Sequence, residues 1–374
     1  MCGSPRSIMR GVPSVMRAAV VRAFGGPEVV RVAGNVPVPK LAPDEVLIRV
    51  AAASVSPLDT RVRSGYAAAL FAPMLPLILG RDVSGTVVAL GTNARAFRIG
   101  AEVFGALSPV SGRGSHCEFV AAREVHLAPK PTAWTHASAA ATPFAALTAW
   151  RALVGDCQLR ENDKVLVNGL GSTVGNFVAQ LAKHAGAAVV AGSVGKRSVE
   201  RVANELKIGK ENLWIYDSST GQSRGDTSSN IKKQTMLVHA EENNWGAFDV
   251  AVDLVGGESS ERLLAKLLKK GTGRLATLHG NLARSIGENG ILTGTALGSL
   301  ELARKKTLYR MQHDIGYHWT VMRLDADAFR AIAKMANEGT LAPPRTKSYK
   351  LEHVRHAFQA TESNEFAGKI VLEP

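Results

Sequence analysis

The segment Lys164-Val-Leu-Val-Asn-Gly-Leu-Gly-Ser-Thr-Val-Gly175 constrains this chain more than any other. A short apolar strand runs into Gly169, Gly171 and Gly175, and a helical run follows directly. Glycines let the backbone turn tightly there, and the first N–H groups of the helix, which have no partner within it, then face a pyrophosphate. The spacing is GxGxxxG rather than GxGxxG, and a strand–helix turn also uses glycine for purely steric reasons. Context decides between the two readings. The turn opens a region of predicted strands at Lys164–Val167, Ala188–Ala191, Leu213–Tyr216, Phe248–Leu254 and Arg274–Leu278, with helices at Val174–Ala185 and Ser198–Leu206. Such alternation predicts an α/β, doubly wound parallel sheet, in which this turn is a dinucleotide site.

The end of the next strand selects the dinucleotide. An NAD site places a carboxylate there for the ribose 2′-hydroxyl, whereas this chain has Val190-Ala-Gly-Ser-Val-Gly-Lys-Arg197. Ser193 can donate to a 2′-phosphate, and Lys196 and Arg197 add positive charge, which favours NADPH. The plainer alternative is a solvated helix start, since Lys and Arg are usually exposed.

The remainder is organised differently. At 374 residues the chain has room for two or three domains. Short strands and turns fill the part before about Val125, with strands at Met16–Ala23, Glu45–Ala51, Val83–Leu90 and Glu118–Ala121. After Tyr317 come a helix at Asp325–Glu338, a strand near Lys347–Leu351, a helix at Glu352–Ser363 and a strand at Lys369–Leu372. The polar stretch Asp217–Asn244 reads as an exposed insertion around a short helix.

Several classes of protein are excluded. The net charge is +13, but aromatic residues make up only 6% and no basic stripe interleaves with them, which argues against a nucleic-acid partner. Cys2, Cys117 and Cys157 form no CxxC pair, so neither a disulfide scaffold nor a cysteine-rich zinc lobe fits. The longest uncharged stretch, Pro131–Trp150, is broken by Pro143 and several hydroxyls, so no transmembrane span is expected. His116 and Cys117 are strand neighbours that point to opposite faces, and His313, His318, His353 and His356 read as ordinary histidines, not as metal ligands. Residues 1–15 belong to a run, Met1–Arg17, that has three arginines, several serines and no acid. That composition predicts a targeting segment, with a basic tail as the alternative.

Six stretches carry a family resemblance: Ala53-Ser-Val-Ser-Pro-Leu-Asp-Thr-Arg-Val-Arg-Ser-Gly-Tyr66, Leu79-Gly-Arg-Asp-Val-Ser-Gly85, Ala145-Ala-Leu-Thr-Ala-Trp150, Phe248-Asp-Val-Ala-Val-Asp-Leu-Val-Gly-Gly257, Gly316-Tyr-His-Trp319 and Phe366-Ala-Gly-Lys-Ile-Val371. In their order and spacing the chain resembles the zinc-free branch of the medium-chain dehydrogenase/reductase superfamily, the NADPH:quinone oxidoreductases. Within that branch it is most similar to the mitochondrial reticulon-interacting group. The resemblance implies a GroES-like, partly open β-barrel catalytic domain from residues 16–143 and 315–374. A Rossmann NADPH domain would span residues 144–314, with the active site in the cleft between the two.

The resemblance also assigns roles. Zinc-using relatives have a Cys and a Gly-His-Glu where this chain has Ser56 and Gly80-Arg81-Asp82, so no metal is expected. Hydride would then pass to an acceptor that needs little activation, a quinone or a conjugated enone. Gly169, Gly171, Ser172, Thr173, Val174 and Gly175 would hold the pyrophosphate, and Ser193, Lys196, Arg197 and Tyr216 the adenosine phosphate. Val255, Gly256, Leu278 and His279 would face the nicotinamide ribose and ring, with Thr148 nearby. Gly368 and Lys369 would close over the cofactor, and Tyr66 and Ser56 would be the catalytic side chains. The implied location is the mitochondrial matrix or the matrix side of the inner membrane, and a homodimer is the assembly implied by analogy.

Two departures keep a second reading open. Ser56 replaces the usual Asn, and Leu170, Ser172 and Thr173 alter the usual Gly-Ala-Ser-Gly-Gly-Val-Gly turn. The alternative is an accessory structural subunit of a respiratory complex, such as complex I, that keeps NADPH but turns over little.

Overall fold

The computed structural model describes residues 11–216 and 229–374. Most of the expected targeting segment therefore lies outside the described residues, as does the start of the expected insertion. The chain divides into two compact units. One comprises the chain up to Leu147 with Arg284–Gly294 and Arg323–Pro374; the other comprises Thr148–Ala283 and Thr295–Met322.

The first unit is mainly antiparallel. Its larger sheet runs, in spatial order, through Thr346–Lys350, Lys369–Glu373, Glu45–Val55, Asp82–Leu90, Glu102–Ala106 and Leu127–Pro129, with Phe119–Arg123 also paired to Glu45–Val55. A three-stranded sheet, Val30–Pro37, Val15–Val21 and Leu77–Ile78, completes it. Strand Glu45–Val55 is buried along most of its length because both its edges are paired, and Val46, Leu47 and Ile48 anchor the core with Val87, Val103 and Val120. Each fully buried side chain of this size contributes about 1.5–3 kcal/mol. The register sets Ala53 opposite Val83 and Ser54 opposite Val371, so the ends of three strands meet where Ser54, Asp82 and Lys369 lie.

The second unit holds a six-stranded parallel sheet in the order Leu213–Tyr216, Val189–Gly195, Lys164–Asn168, Val250–Asp253, Arg274–Thr277, Gly316–Trp319. Counted along the chain this is 3-2-1-4-5-6, the doubly wound order, and it reverses between Lys164–Asn168 and Val250–Asp253. The α/β expectation holds. The sixth strand carries the sheet past residue 314, where the sequence had suggested a boundary, because Gly316–Trp319 pairs in parallel with Arg274–Thr277. Tyr317 of this strand stacks on Tyr309 at 4.6 Å between centroids, so the Gly-Tyr-His-Trp stretch serves core packing.

Two expectations need correction. The polar stretch is not simply exposed: its helix, Ser229–Glu242, buries Met236 and Ala240 beside Trp245 and Phe248. Two helices, Leu282–Asn289 and Ile291–His313, were not foreseen. Gly294 and Gly298 hid the second, because glycine weakens a helical pattern. Here both glycines serve close helix packing. A Cβ at Gly294 would stand 2.4 Å from Ile286 Cα, and one at Gly298 would stand 2.8 Å from Leu282 Cδ1.

Candidate functional site

The glycine turn lies at the C-terminal edge of the second unit's first strand, at the switch point of the sheet. Gly169 has φ +110°, a conformation that other residues rarely adopt. Gly175 has no room for a side chain, since a Cβ would come 2.3 Å from Gly169 O and 2.9 Å from Leu170 Cα. Ser172 caps the helix Thr173–His184: its Oγ accepts from Gly175 N–H at 3.0 Å and donates to Gly169 O at 2.9 Å. Among the described residues, no acceptor takes the N–H groups of Thr173 and Val174. These are the groups a phosphate would meet.

Leu170 does not obstruct the turn. It is fully buried, its N–H donates to Ser193 O, and its side chain lies over Gly192, where a Cβ would meet Leu170 Cδ1 at 2.9 Å and Val167 O at 2.0 Å. Val167 O alone requires glycine at 192, and Leu170 uses the space that this glycine leaves, a packing that the sequence reading missed.

Behind the turn lies a buried polar network that was also missed. Asn168 Nδ2 donates to Asp253 Oδ1 at 3.0 Å and to Ser260 Oγ at 2.7 Å. Asp253 Oδ1 further accepts from the Val255 and Gly256 N–H groups, which fixes the loop after the fourth strand. Ser193 belongs to this network, and its expected role is corrected. It is fully buried, donates to Asn168 Oδ1 and accepts from Gly169 N–H, so its one proton is committed inside the protein and unavailable to a 2′-phosphate. Asn168 was in view in the quoted motif, as the polar end of an apolar strand.

The other expected cofactor residues are placed as follows. Lys196 and Arg197 are exposed after the second strand, and Tyr216 ends the third, its ring 3.6 Å from where a Gly195 Cβ would stand. Val255 is 49% exposed at the end of the fourth strand. Gly256, φ +81°, lies under the His279 ring, whose Nε2 is 3.0 Å from Leu254 O. Leu278 is half-buried and donates its N–H to Asp253 O, while Thr148 is buried on the helix Pro143–Trp150. Gly171 lies 3.3 Å, as a built Cβ, from Ser198 Cβ, and Arg201 Nη2 donates to Gly171 O at 2.8 Å.

The first unit carries a second polar cluster made of charged groups. Ser56, expected to be catalytic, is corrected to a helix cap: it donates to Asp59 Oδ2 at 2.6 Å and forms a capping box at the start of Pro57–Arg63. Asp59 Oδ1 accepts from Gly80 N–H, and a Cβ at Gly80 (φ +95°) would collide with His116 and Ser115. Asp82 accepts from Ser54 Oγ and Phe144 N–H, and Lys369 Nζ stands 4.0 Å from its Oδ2. Lys369 is thus buried against a carboxylate, and Gly368 is pinned by Phe366 and Arg345 O. Burial raises the Asp82 pKa to about 6, against the pull of Lys369, Ser54 and Phe144. Burial likewise lowers the His116 pKa. Tyr66 is half-buried, with the Arg61 guanidinium 6.0 Å from its ring centroid.

A zinc ion does not fit this donor set. Ser56 is committed to its cap, Arg81 is a cation, and among the described residues no three His, Cys, Asp or Glu side chains gather to hold a metal. A nicotinamide dinucleotide fits the glycine turn, because the Thr173 and Val174 N–H groups at the helix start have no acceptor among the described residues.

Comparison with known proteins agrees with this picture. Residues 42–142 match the alcohol dehydrogenase GroES-like domain, and residues 228–372 match the zinc-binding dehydrogenase model. The mitochondrial NAD(P)H oxidoreductase RTN4IP1 of Bos taurus is 32% identical, the match covering 99% of this chain and 90% of that protein. The chain belongs to the medium-chain dehydrogenase/reductase superfamily, within its RTN4IP1 oxidoreductase family. Human quinone oxidoreductase is 34% identical over 50% of this chain and 55% of its own length. The quinone oxidoreductase structure from Coxiella burnetii shares the fold, with a TM-score of 0.75 at 23% identity, covering 96% of this chain and 99% of that one. Among the described residues, no helix of this family member is long and apolar enough to cross a membrane.

Proposed function

We propose that the chain is an NADPH-dependent oxidoreductase of the mitochondrion, on the matrix side, that reduces a quinone or a conjugated enone without a metal. The observation that carries this reading is the turn itself: a helix start packed too closely on the turn for a side chain at Gly175, two N–H groups of Thr173 and Val174 with no acceptor among the described residues, and no carboxylate on the following strand end. The names of the relatives support the nicotinamide chemistry and the location. Lys196 and Arg197 are the groups left for a 2′-phosphate now that Ser193 is committed elsewhere.

When bound, the reduced nicotinamide supplies a hydride. The chain's own contribution is to position and polarise, because its donor set offers no Lewis acid. Gly256 and His279 shape the loop ends proposed to face the ring, and Tyr66 is the proposed hydroxyl on the acceptor side. Leu170 packs away from the turn, so the altered glycine pattern no longer argues for an inert cofactor site.

The test is NADPH and NADH affinity by fluorescence titration, followed by NADPH oxidation at 340 nm with ortho-quinones, para-quinones and enones. Preference for NADPH and turnover with at least one acceptor class are expected. Tight NADPH binding with no oxidation of any acceptor would overturn the catalytic reading.

A further inference from the structure

The start of the helix Val199–Leu206 packs on the glycine turn of the same unit. A Cβ built at Gly171 would stand 3.3 Å from Ser198 Cβ, so little space separates the two segments. Three residues on, Arg201 brings a charged side chain, 11% exposed, to this contact. Its Nη2 donates to Gly171 O at 2.8 Å. Its Nη1 reaches Glu205 Oε2 only at 3.4 Å, and its Nε meets no acceptor among the described residues. The guanidinium is thus spent mainly on one backbone carbonyl of the turn, and its charge is loosely matched by a carboxylate.

That carbonyl matters to an anion. A turn that receives a phosphate must offer it N–H groups and keep its own carbonyl oxygens on other donors, because each oxygen carries partial negative charge. The turn here is sorted in that way. Gly169 O accepts from Ser172 N–H at 3.1 Å and from Ser172 Oγ–H at 2.9 Å, and Gly171 O accepts from Arg201. The Thr173 and Val174 N–H groups have no acceptor among the described residues. Lys196 and Arg197 precede the helix and are exposed, whereas Arg201 is held against the turn itself.

We infer that Arg201 is a positioning residue for the cofactor's diphosphate: it draws the Gly171 carbonyl toward the helix Val199–Leu206 and sets a partly balanced positive charge at the carbonyl two residues before Thr173. The inference rests on the reading of the turn as the dinucleotide site. It assigns Arg201 to the diphosphate that NADPH and NADH share. The 2′-phosphate, which only NADPH has, is left to Lys196 and Arg197. Glu205 acts here as an attenuator, since its carboxylate offsets part of the charge that the diphosphate meets.

The full chain is titrated with NADPH, NADH and ADP-ribose, which carry the diphosphate, and with adenosine, which does not. Arg201→Met is expected to weaken the first three about tenfold each, to leave adenosine unchanged and to preserve the NADPH-to-NADH ratio. Arg201→Lys, which keeps the charge, is expected to bind them within about threefold of wild type. Glu205→Gln alters a partly exposed side chain and leaves Arg201 on Gly171, so it is expected to tighten the same three ligands about threefold. In turnover, Arg201→Met should raise KM for NADPH about tenfold with kcat unchanged. An arginine that only props up the fold predicts equal losses for adenosine and ADP-ribose, and no gain in Glu205→Gln. Either result would overturn the inference, as would a changed NADPH-to-NADH ratio in Arg201→Met. If Arg201→Met does not fold, the Glu205→Gln titration decides alone. Wild type that binds the diphosphate ligands while neither variant alters them sinks the role of Arg201 alone. Wild type that binds none of them sinks the cofactor reading, and this inference with it.

Discussion

The polar clusters of the two units solve the same problem in opposite ways. Behind the glycine turn, a single carboxylate, Asp253, takes neutral donors from Asn168 and Ser260 on its Oδ1, with Ser193 bonded to Asn168, while its Oδ2 meets no partner among the described residues. In the first unit, Asp59, Arg81, Asp82, His116 and Lys369 bring several charges into the interior, and both Arg81 and His116 keep ring or guanidinium nitrogens with no partner among the described residues. A neutral network fixes backbone shape at modest cost, whereas buried charge is expensive unless a partner arrives. The difference teaches where rigidity and where reactivity are to be sought.

The largest expected effect tests the rigid side. Gly175→Val must displace Gly169 O and Leu170 Cα, so it should cost about 3 kcal/mol or more in urea unfolding and abolish NADPH binding. A stable variant that still binds NADPH would mean that the cradle is not the cofactor site.

Asp82→Asn probes the charged side almost as strongly. With the folded pKa raised to about 6 from an ordinary 3.8, the folded state holds the proton more tightly than the unfolded chain. This group's contribution is therefore fully present below about pH 4 and is lost as pH rises to about 6, amounting to at most about 3 kcal/mol. The difference in urea midpoint between wild type and Asp82→Asn should change across that window and be flat above it.

Asn168→Ala leaves Ser193 and Asp253 each short of a partner and should cost about 2 kcal/mol by the same unfolding assay. Ser193→Ala is the sharper probe: a loss of about 1 kcal/mol with the NADPH-over-NADH preference intact, whereas Lys196→Ala should weaken that preference about tenfold. A collapse of the preference in Ser193→Ala would restore the serine to the phosphate site.

The strands and the strand–turn–helix were legible because their signals are local: apolar runs, glycine punctuation and a following helix. Ser56 and Ser193 were misread for a shared reason. A hydroxyl next to a candidate site looks free in sequence, and only the fold shows that Asp59 and Asn168 already hold it. The Arg81 cluster draws on positions 59, 81, 116 and 369, which only the barrel-like sheet brings together, so no window of sequence could contain it. The helix Ile291–His313 was lost to glycines that signal a break locally and a close packing surface globally.

The Leu170–Gly192 pair has an implication for how such a turn could change over time. With Leu170 in place, any side chain at position 192 strikes Val167 O and the leucine, and shrinking Leu170 alone leaves a hollow under the bend. Position 192 lies inside Val189–Gly195 and stays glycine whatever stands at 170, because Val167 O alone excludes a Cβ there. A leucine grafted into a cousin's turn would be accommodated only where the facing strand position is already glycine.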